Sequence, residues 1–171
     1  MKLHLGCGFD KKEGYLNCDI SPEVNPDKIV DLEKSLPFED NSVSEIYTRH
    51  TLEHIENLIP LMKEFRRTCI KGAKIRIVVP YFSHAGASQD PSHKRFFTWK
   101  TFDYFEKDNK LCFYGLGLFK IKKKELRILI SRPFVGKPLA RLFNKFPNFY
   151  ERFFVYLIPA TEIKFVLEVL K

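Results

Sequence analysis

Lys2-Leu3-His4-Leu5-Gly6-Cys7-Gly8 is a short apolar run broken by two glycines one residue apart. The pattern is that of a strand ending in a loop that carries no Cβ at Gly6 or Gly8, so another molecule's surface can come close to the backbone there. Taken alone, the pair fits an ordinary tight turn equally well. The next apolar run, Tyr15–Ile20, follows soon after Gly14. A crossover helix between parallel strands needs about a dozen residues, so the first helix is expected to shrink to one turn or the pairing to depart from the usual pattern.

Outward from this start, Lys28–Leu32 reads as a third strand, with turn signals at Gly14, Ser21-Pro22 and Asn25-Pro26. Leu36-Pro37-Phe38-Glu39-Asp40-Asn41-Ser42 reads as a turn, and Val43–Thr48 as a fourth strand. Leu58, Leu61, Met62, Phe65 and Cys69 then share one helical face. Pro60 suits that helix's first turn and Gly72 its stop. Lys74–Val79 is a β-branched strand closed by Pro80. The order β-β-β-β-α-β with short links predicts an economical, doubly wound sheet.

The second half is less regular. Ser83–Arg95 is a polar loop containing histidines, Thr98–Lys107 an expected aromatic helix, and Phe119–Leu129 an expected strand. Phe134–Tyr156 is aromatic and interleaved with bases, with the pattern of two helical pieces around Pro147. In Glu162–Leu170, Ile163, Phe165, Leu167 and Val169 alternate with polar neighbours as in a strand. One domain is expected over residues 1–171: a ligand-binding half (1–82), a variable region (83–161) and a last strand (162–171).

Composition narrows the class. The 171 residues are 44% hydrophobic and 15% aromatic, a globular balance. No apolar run reaches the ~18 residues of a membrane span, and the N-terminus lacks the pattern of a signal peptide. Cys7, Cys18, Cys69 and Cys112 are scattered, with no CxxC and no zinc-like spacing, which predicts reduced thiols in a cytoplasmic protein. The net charge of +8 is uneven, with an acidic first third. Between Lys110 and Lys145 the basic residues, Arg127, Arg132, Lys137 and Arg141 among them, face Glu125 as the single acid. That asymmetry fits a solvated face, or an anionic partner such as RNA or a lipid surface.

Two acids stand where a nucleoside would be read. Asp19 closes the second strand, where a carboxylate can accept both ribose hydroxyl protons. Asp31-Leu32 ends the third, where a side chain and a backbone amide can hold an adenine edge. With these in place, the strings LHLGCG, GYLNCDI, DLEKSLPFEDNSVSEIYTRHTLEHI and KGAKIRIVVPYF resemble the class I S-adenosylmethionine-dependent methyltransferases. The likeness is to the compact branch with a shortened first helix, and it spans roughly residues 1–82 in order and spacing. It implies a Rossmann-like, doubly wound α/β fold, a three-layer sandwich whose sheet is mostly parallel with an antiparallel last strand.

The resemblance also implies S-adenosylmethionine as cofactor. Gly6, Cys7 and Gly8 would lie under its methionine part, and Asp19 would bind the ribose with Ile20 packed on the adenine. Asp31 and Leu32 would receive the adenine amino group and ring nitrogen, while Thr48, Arg49 and His50 would flank the sulfonium and carboxylate. The chain departs from the family at His4, where an acid is common, and at the absent third glycine. A dinucleotide site needs G-x-G-x-x-G and a helix N-terminus for the pyrophosphate. Here Lys11 fills the third-glycine place, which favours a cofactor without phosphate.

Ligands of such sheets lie beyond the strands' carboxyl ends, so the loop after the fifth strand faces the methyl group. Tyr81, His84 and His93 are its candidate catalytic residues, with Asp90, Arg95 and Trp99 nearby. Either histidine could act as base, since imidazole titrates near neutral pH; the alternative is that both only brace the loop. No metal site is expected, because His84, Asp90 and His93 match no common ligand spacing. His50 and His54, four apart, suit cofactor contact and helix packing. An Asn/Asp-Pro-Pro-aromatic motif, common in methylation of exocyclic base amines, is replaced by Tyr47-Thr48-Arg49-His50. No cysteine stands where a pyrimidine-C5 nucleophile would.

The leading expectation is transfer to oxygen or nitrogen of a small or lipid-like metabolite. The alternatives are an RNA or ribosomal-protein methyltransferase acting through the basic 110–145 region, and a non-catalytic cofactor-binding scaffold. The Phe-rich 134–156 segment fits core packing, a lid, a homodimer surface or a membrane-surface helix.

Overall fold

The computed structural model describes residues 1–112, 116–128 and 133–171. Its strands are β1 (Lys2–Leu5), β2 (Leu16–Asp19), β3 (Lys28–Ile29), β4 (Val43–Arg49), β5 (Cys69–Pro80), β6 (Phe119–Ile128) and β7 (Ala160–Val169). Its α-helices are α1 (Leu58–Thr68), α2 (Pro133–Lys145) and α3 (Pro147–Phe153). The seven strands form one sheet in the order β3-β2-β1-β4-β5-β7-β6. β1 to β5 run parallel, and β7 runs antiparallel to both β5 and β6. The order reverses between β1 and β4, the switch point where such sheets leave a crevice. Among the described residues no helix is long and apolar enough to cross a membrane.

No helix joins β1 to β2. The Cys7 amide donates to the Cys18 carbonyl at 3.0 Å and the Asp10 amide to the Cys7 carbonyl at 3.0 Å, so the chain turns tightly and then runs irregularly to β2. Leu3 and Leu5 are fully buried, as a central strand covered on both faces requires. His4 is also buried. Its Nδ1 lies 3.3 Å from Asn17 Oδ1, and burial lowers its pKa. It therefore ties β1 to β2 instead of meeting a ligand.

Several boundaries differ from the sequence reading, each for a local reason. β3 stops at Ile29 because the Asp31 carboxylate accepts the Glu33 amide at 3.0 Å, a side-chain turn that ends the ladder. α1 ends at Thr68, and the chain enters β5 directly through the extended Cys69. Gly72 is thus no helix stop. It sits inside β5 at φ +80°, where the β4–β5 register slips between Val43 and Glu45, and a bulge of that kind favours glycine. Thr98–Lys107 holds a 3-10 helix over Thr101–Phe105 in place of an α-helix, with Phe102 and Phe105 buried. Leu129, the expected end of the sixth strand, and Arg132 lie outside the described residues.

The Phe-rich segment divides between core and surface. Phe143 and Tyr150 are buried, and the Tyr150 hydroxyl accepts the Ala160 amide at 2.8 Å while donating to the Ile158 carbonyl at 2.9 Å. Phe134, Phe146, Phe149, Phe153 and Tyr156 are exposed. β6 is an edge strand, and its lysines blunt that edge against pairing with other chains. Lys122, Lys123 and Lys124 are each ion-paired, to Glu168, Glu125 and Asp103.

The turn at Leu36–Ser42 is fastened by two side chains of α1. The Glu64 carboxylate accepts from the Leu36 amide (2.8 Å), the Ser35 hydroxyl (2.9 Å) and Arg67 (2.7 and 2.8 Å). Arg67 in turn donates to the carbonyls of Leu36 and Phe38 and to Asp40. The Arg67 hydrogen bonds, with those from Leu36 and Ser35, hold the Glu64 carboxyl down at about 2. A depressed folded-state pKa contributes stability above the unfolded value near 4.5, lost as pH falls from there towards about 2. Glu64→Gln is expected to cost about 2 kcal/mol at pH 7. In urea titrations the gap from the unaltered chain should narrow below pH 4.5; a gap independent of pH would refute this account.

Candidate functional site

The crevice at the switch point begins at Gly6. Its φ is +66°, and a Cβ built there would lie 2.2 Å from Thr51 Oγ1. Thr51 follows β4 directly, so the two central strands close on each other with room only for a hydrogen at Gly6. Gly8, at φ +51°, is different: nothing lies within 4 Å of where its Cβ would be. Its amide donates to Asp19 Oδ2 at 2.8 Å, and the Ser21 amide donates to Asp19 Oδ1 at 3.0 Å. The Asp19 carboxylate is thereby aimed from the end of β2.

A cavity of about 460 Å³ opens in front of these groups, within the range of small-molecule sites. Gly6, Gly8, Asp19, Ile20, Asp31, Leu32 and His50 line it, as do Thr51, His54 and Lys94. Ile20 is 62% exposed, a large aliphatic surface left open where a flat ring could cover it. The Asp31 carboxyl is held below its usual range, chiefly by the Glu33 amide.

A second cavity of about 660 Å³ adjoins the first, and His50 and His54 line both. Glu53, His84, Asp90, His93 and Glu162 complete its polar wall. β7 brings Glu162 there: it pairs with Pro80 of β5, while the His50 amide donates to the Val78 carbonyl at 2.9 Å. His50 lies between two buried carboxylates, with Nε2 2.9 Å from Glu162 and Nδ1 3.4 Å from Glu53. The hydrogen bond to Glu162, then that to Glu53, raises its pKa to about 9. The bond to His50 and the charge of Arg127 hold Glu162 at about 2.

The loop carrying His84 and His93 is latched to the segment after β4. The Lys94 amide donates to the Glu53 carbonyl at 2.8 Å, and Arg95 Nε to the Ile55 carbonyl at 2.7 Å. His84 Nδ1 accepts the Gly86 amide at 3.0 Å, capping the 3-10 turn Ala85–Ala87. Its neutral ring therefore carries the proton on Nε2 and presents a donor.

Not every expected residue reaches these cavities. Cys7 is buried beneath the loop and offers only backbone. Thr48 is buried, with its hydroxyl unpaired. Arg49 lines a separate cleft with Tyr47 and Arg127 and pairs with Glu162 at 3.3 Å. Tyr81 lines neither cavity; it is fully buried, and its hydroxyl donates to Glu151 at 2.5 Å. Its expected catalytic place is corrected to a bracing one between β5 and α3. Glu53, Thr51 and Glu162 went unread in the sequence. Glu53 looks like an ordinary helix acid, and Glu162 is far away along the chain.

The methyltransferase domain family matches residues 3–77. No curated protein matches the chain in sequence. Solved structures do match in shape. An S-adenosylmethionine-dependent methyltransferase from Archaeoglobus fulgidus is 18% identical with a TM-score of 0.67, over 98% of this chain and 85% of that one. A Haloferax volcanii complex between the Trm112 methyltransferase activator and a methyltransferase is 15% identical with a TM-score of 0.63, over 99% and 82%. Phosphoethanolamine N-methyltransferase 2 of Haemonchus contortus, with S-adenosyl-L-methionine, is 13% identical with a TM-score of 0.62, over 99% of this chain and 48% of that one. At these identities the likeness is one of fold.

Proposed function

We propose that this chain is a class I S-adenosylmethionine-dependent methyltransferase and that it methylates an oxygen or nitrogen of a small or lipid-like acceptor held in the larger cavity. The observation that carries this reading is that two cavities meet at His50 and His54. One has the chemistry for the cofactor, and the other opens on the point where its methyl group would be presented.

When bound, S-adenosylmethionine supplies a methyl group on a positively charged sulfur. The open space at Gly8, the free flank of Ile20 and the cavity's volume suit its nucleoside. Asp19 would accept the ribose hydroxyl protons through the lone pairs that the Gly8 and Ser21 amides leave over. Ile20 and Leu32 would cover the adenine, and Asp31 would accept a hydrogen bond from its amino group. Gly6, Cys7 and Gly8 contribute backbone. Thr48 and Arg49 act from behind, Arg49 by holding Glu162 against His50. In-line transfer needs mainly alignment, and the proton shed by the acceptor can pass to a ring nitrogen of His93 or His54. His84 instead offers its Nε2 proton as a hydrogen bond to the acceptor.

Two surface features bear on the acceptor. The exposed Phe149, Phe153 and Tyr156 lie among Arg141, Lys145 and Arg152, a combination that suits an anionic lipid surface. Tyr156 packs edge-on against Phe82, 6.1 Å between centroids. The ion-paired lysines of β6 weaken the case for RNA. The test is transfer of labelled methyl from S-adenosylmethionine to anionic phospholipid extract or to RNA. Label in the organic phase is expected. Label in RNA, with binding that falls steeply in a log–log salt plot, would overturn the acceptor reading.

A further inference from the structure

The larger cavity contains a cluster that methyl transfer alone does not require. Glu53, His54 and His93 bring one ligand atom each to within 4.8 Å of one another. Glu53 is 1% exposed, and its Oε2 has no hydrogen-bond partner among the described residues. Among the described residues its one ion-pair partner is His50, 3.4 Å from Oε1. A buried carboxylate left so bare is costly and calls for a partner.

The two histidines are held in matching states. His93 Nδ1 lies 2.9 Å from the Ala87 carbonyl, which can only accept, so Nδ1 carries the proton and Nε2 the lone pair. Ser92 Oγ gives its single proton to Asp90 Oδ1 at 2.6 Å. It therefore accepts from His54 Nδ1 at 2.9 Å, and His54 Nε2 also keeps a lone pair. A ligating histidine whose far nitrogen is fixed by a carbonyl or a carboxylate-backed group is the usual outer shell of a metal site. The backbone bond from Lys94 to Glu53 keeps the two halves of the cluster together. His84 is excluded as a third nitrogen ligand through Nδ1, which the Gly86 amide occupies.

We propose that Glu53, His54 and His93 bind a divalent transition-metal ion, zinc by the match of two imidazole nitrogens and one carboxylate, with a further coordination position open to the cavity. Zinc bonds of about 2.0–2.2 Å place ligand atoms about 3.4 Å apart, a contraction of up to about 1.4 Å from the 4.8 Å limit that side-chain rotation can supply. With the ion bound, the histidine lone pairs are occupied. An acceptor hydroxyl at the open position would be acidified by the ion and lose its proton to solvent water entering the open cavity, without needing a histidine base. That last role rests on the acceptor reading of this cavity; binding of the ion does not.

The test uses the untagged full chain, stripped with chelator, then titrated calorimetrically with zinc and spectroscopically with cobalt(II). One ion per chain is expected, with visible cobalt bands of low coordination number. Glu53→Gln and His93→Ala should each weaken binding at least about 100-fold, and Ser92→Ala about 10-fold. S-adenosylhomocysteine titration of the same variants reports on the fold and should stay within about threefold of the unaltered chain. Absence of stoichiometric zinc, or binding that survives both ligand substitutions, would overturn the site. Zinc binding without S-adenosylhomocysteine binding would support the site and overturn the cofactor reading instead.

Discussion

Gly6→Ala should destabilise the chain by about 2–5 kcal/mol, a large share of what a domain of this size possesses. Two costs add. At φ +66° an L side chain is strained by about 1–2 kcal/mol, and the new methyl would lie 2.2–2.7 Å from three atoms of Thr51, where overpacking costs about 1–3 kcal/mol or more. Gly8→Ala meets only the first cost, because the space at its Cβ is open. It should remain folded and instead lose S-adenosylhomocysteine affinity, its methyl standing where the cofactor approaches. Urea denaturation and calorimetry on both variants check this contrast. Thr51→Gly should recover the steric part in the Gly6→Ala background, a coupling that a double-mutant cycle isolates. Equal stability losses for the two glycine variants would show that Thr51 does not set the cost.

Asp19→Ala should weaken S-adenosylhomocysteine binding about 10- to 100-fold, or about 1–3 kcal/mol. The carboxylate is held by the Gly8 and Ser21 amides at 2.8 and 3.0 Å, so its loss removes the anchor of the glycine loop together with the proposed ribose acceptor. Asp19→Asn separates the two, since its amide keeps one oxygen for Gly8 or the ribose. Its affinity should fall between those of Ala and Asp. Calorimetric titration reads both, and unchanged affinity in Asp19→Ala would place the ribose elsewhere.

Where the sequence was legible, the signals were local. The apolar runs of β1, β2 and β4 and the alternation of β7 are visible along the chain, and Gly6, Gly8 and Asp19 stand at strand ends where turn chemistry is visible in neighbouring residues. The Leu36–Ser42 turn was recognisable, although its fastening by Glu64 and Arg67 was not. Helix α1 showed its period, while its end did not. Gly72 imitates a stop signal, yet its positive φ serves a bulge in β5. The charge run near Lys122 left a solvated face and an anionic partner both open, because sequence shows charges without partners. Pairing with Glu168, Glu125 and Asp103 arises only when the edge strand folds.

The antiparallel last strand was implied by the family resemblance; the sequence by itself determined the doubly wound sheet and the glycine loop that leads to Asp19. These rest on periodicity and on backbone conformations that few residues allow. Tertiary structure alone decided the second cavity. Its wall joins the segment after β4, the loop after β5 and the first turn of β7, which share no pattern along the chain. Register across β5 set Glu162 against His50, and the Lys94–Glu53 backbone bond set His93 beside His54. The same packing turned Tyr81 inward to Glu151. Side-chain direction at such a junction depends on neighbours distant in sequence. The glycine loop could be read from its own residues, and the histidine cluster could not.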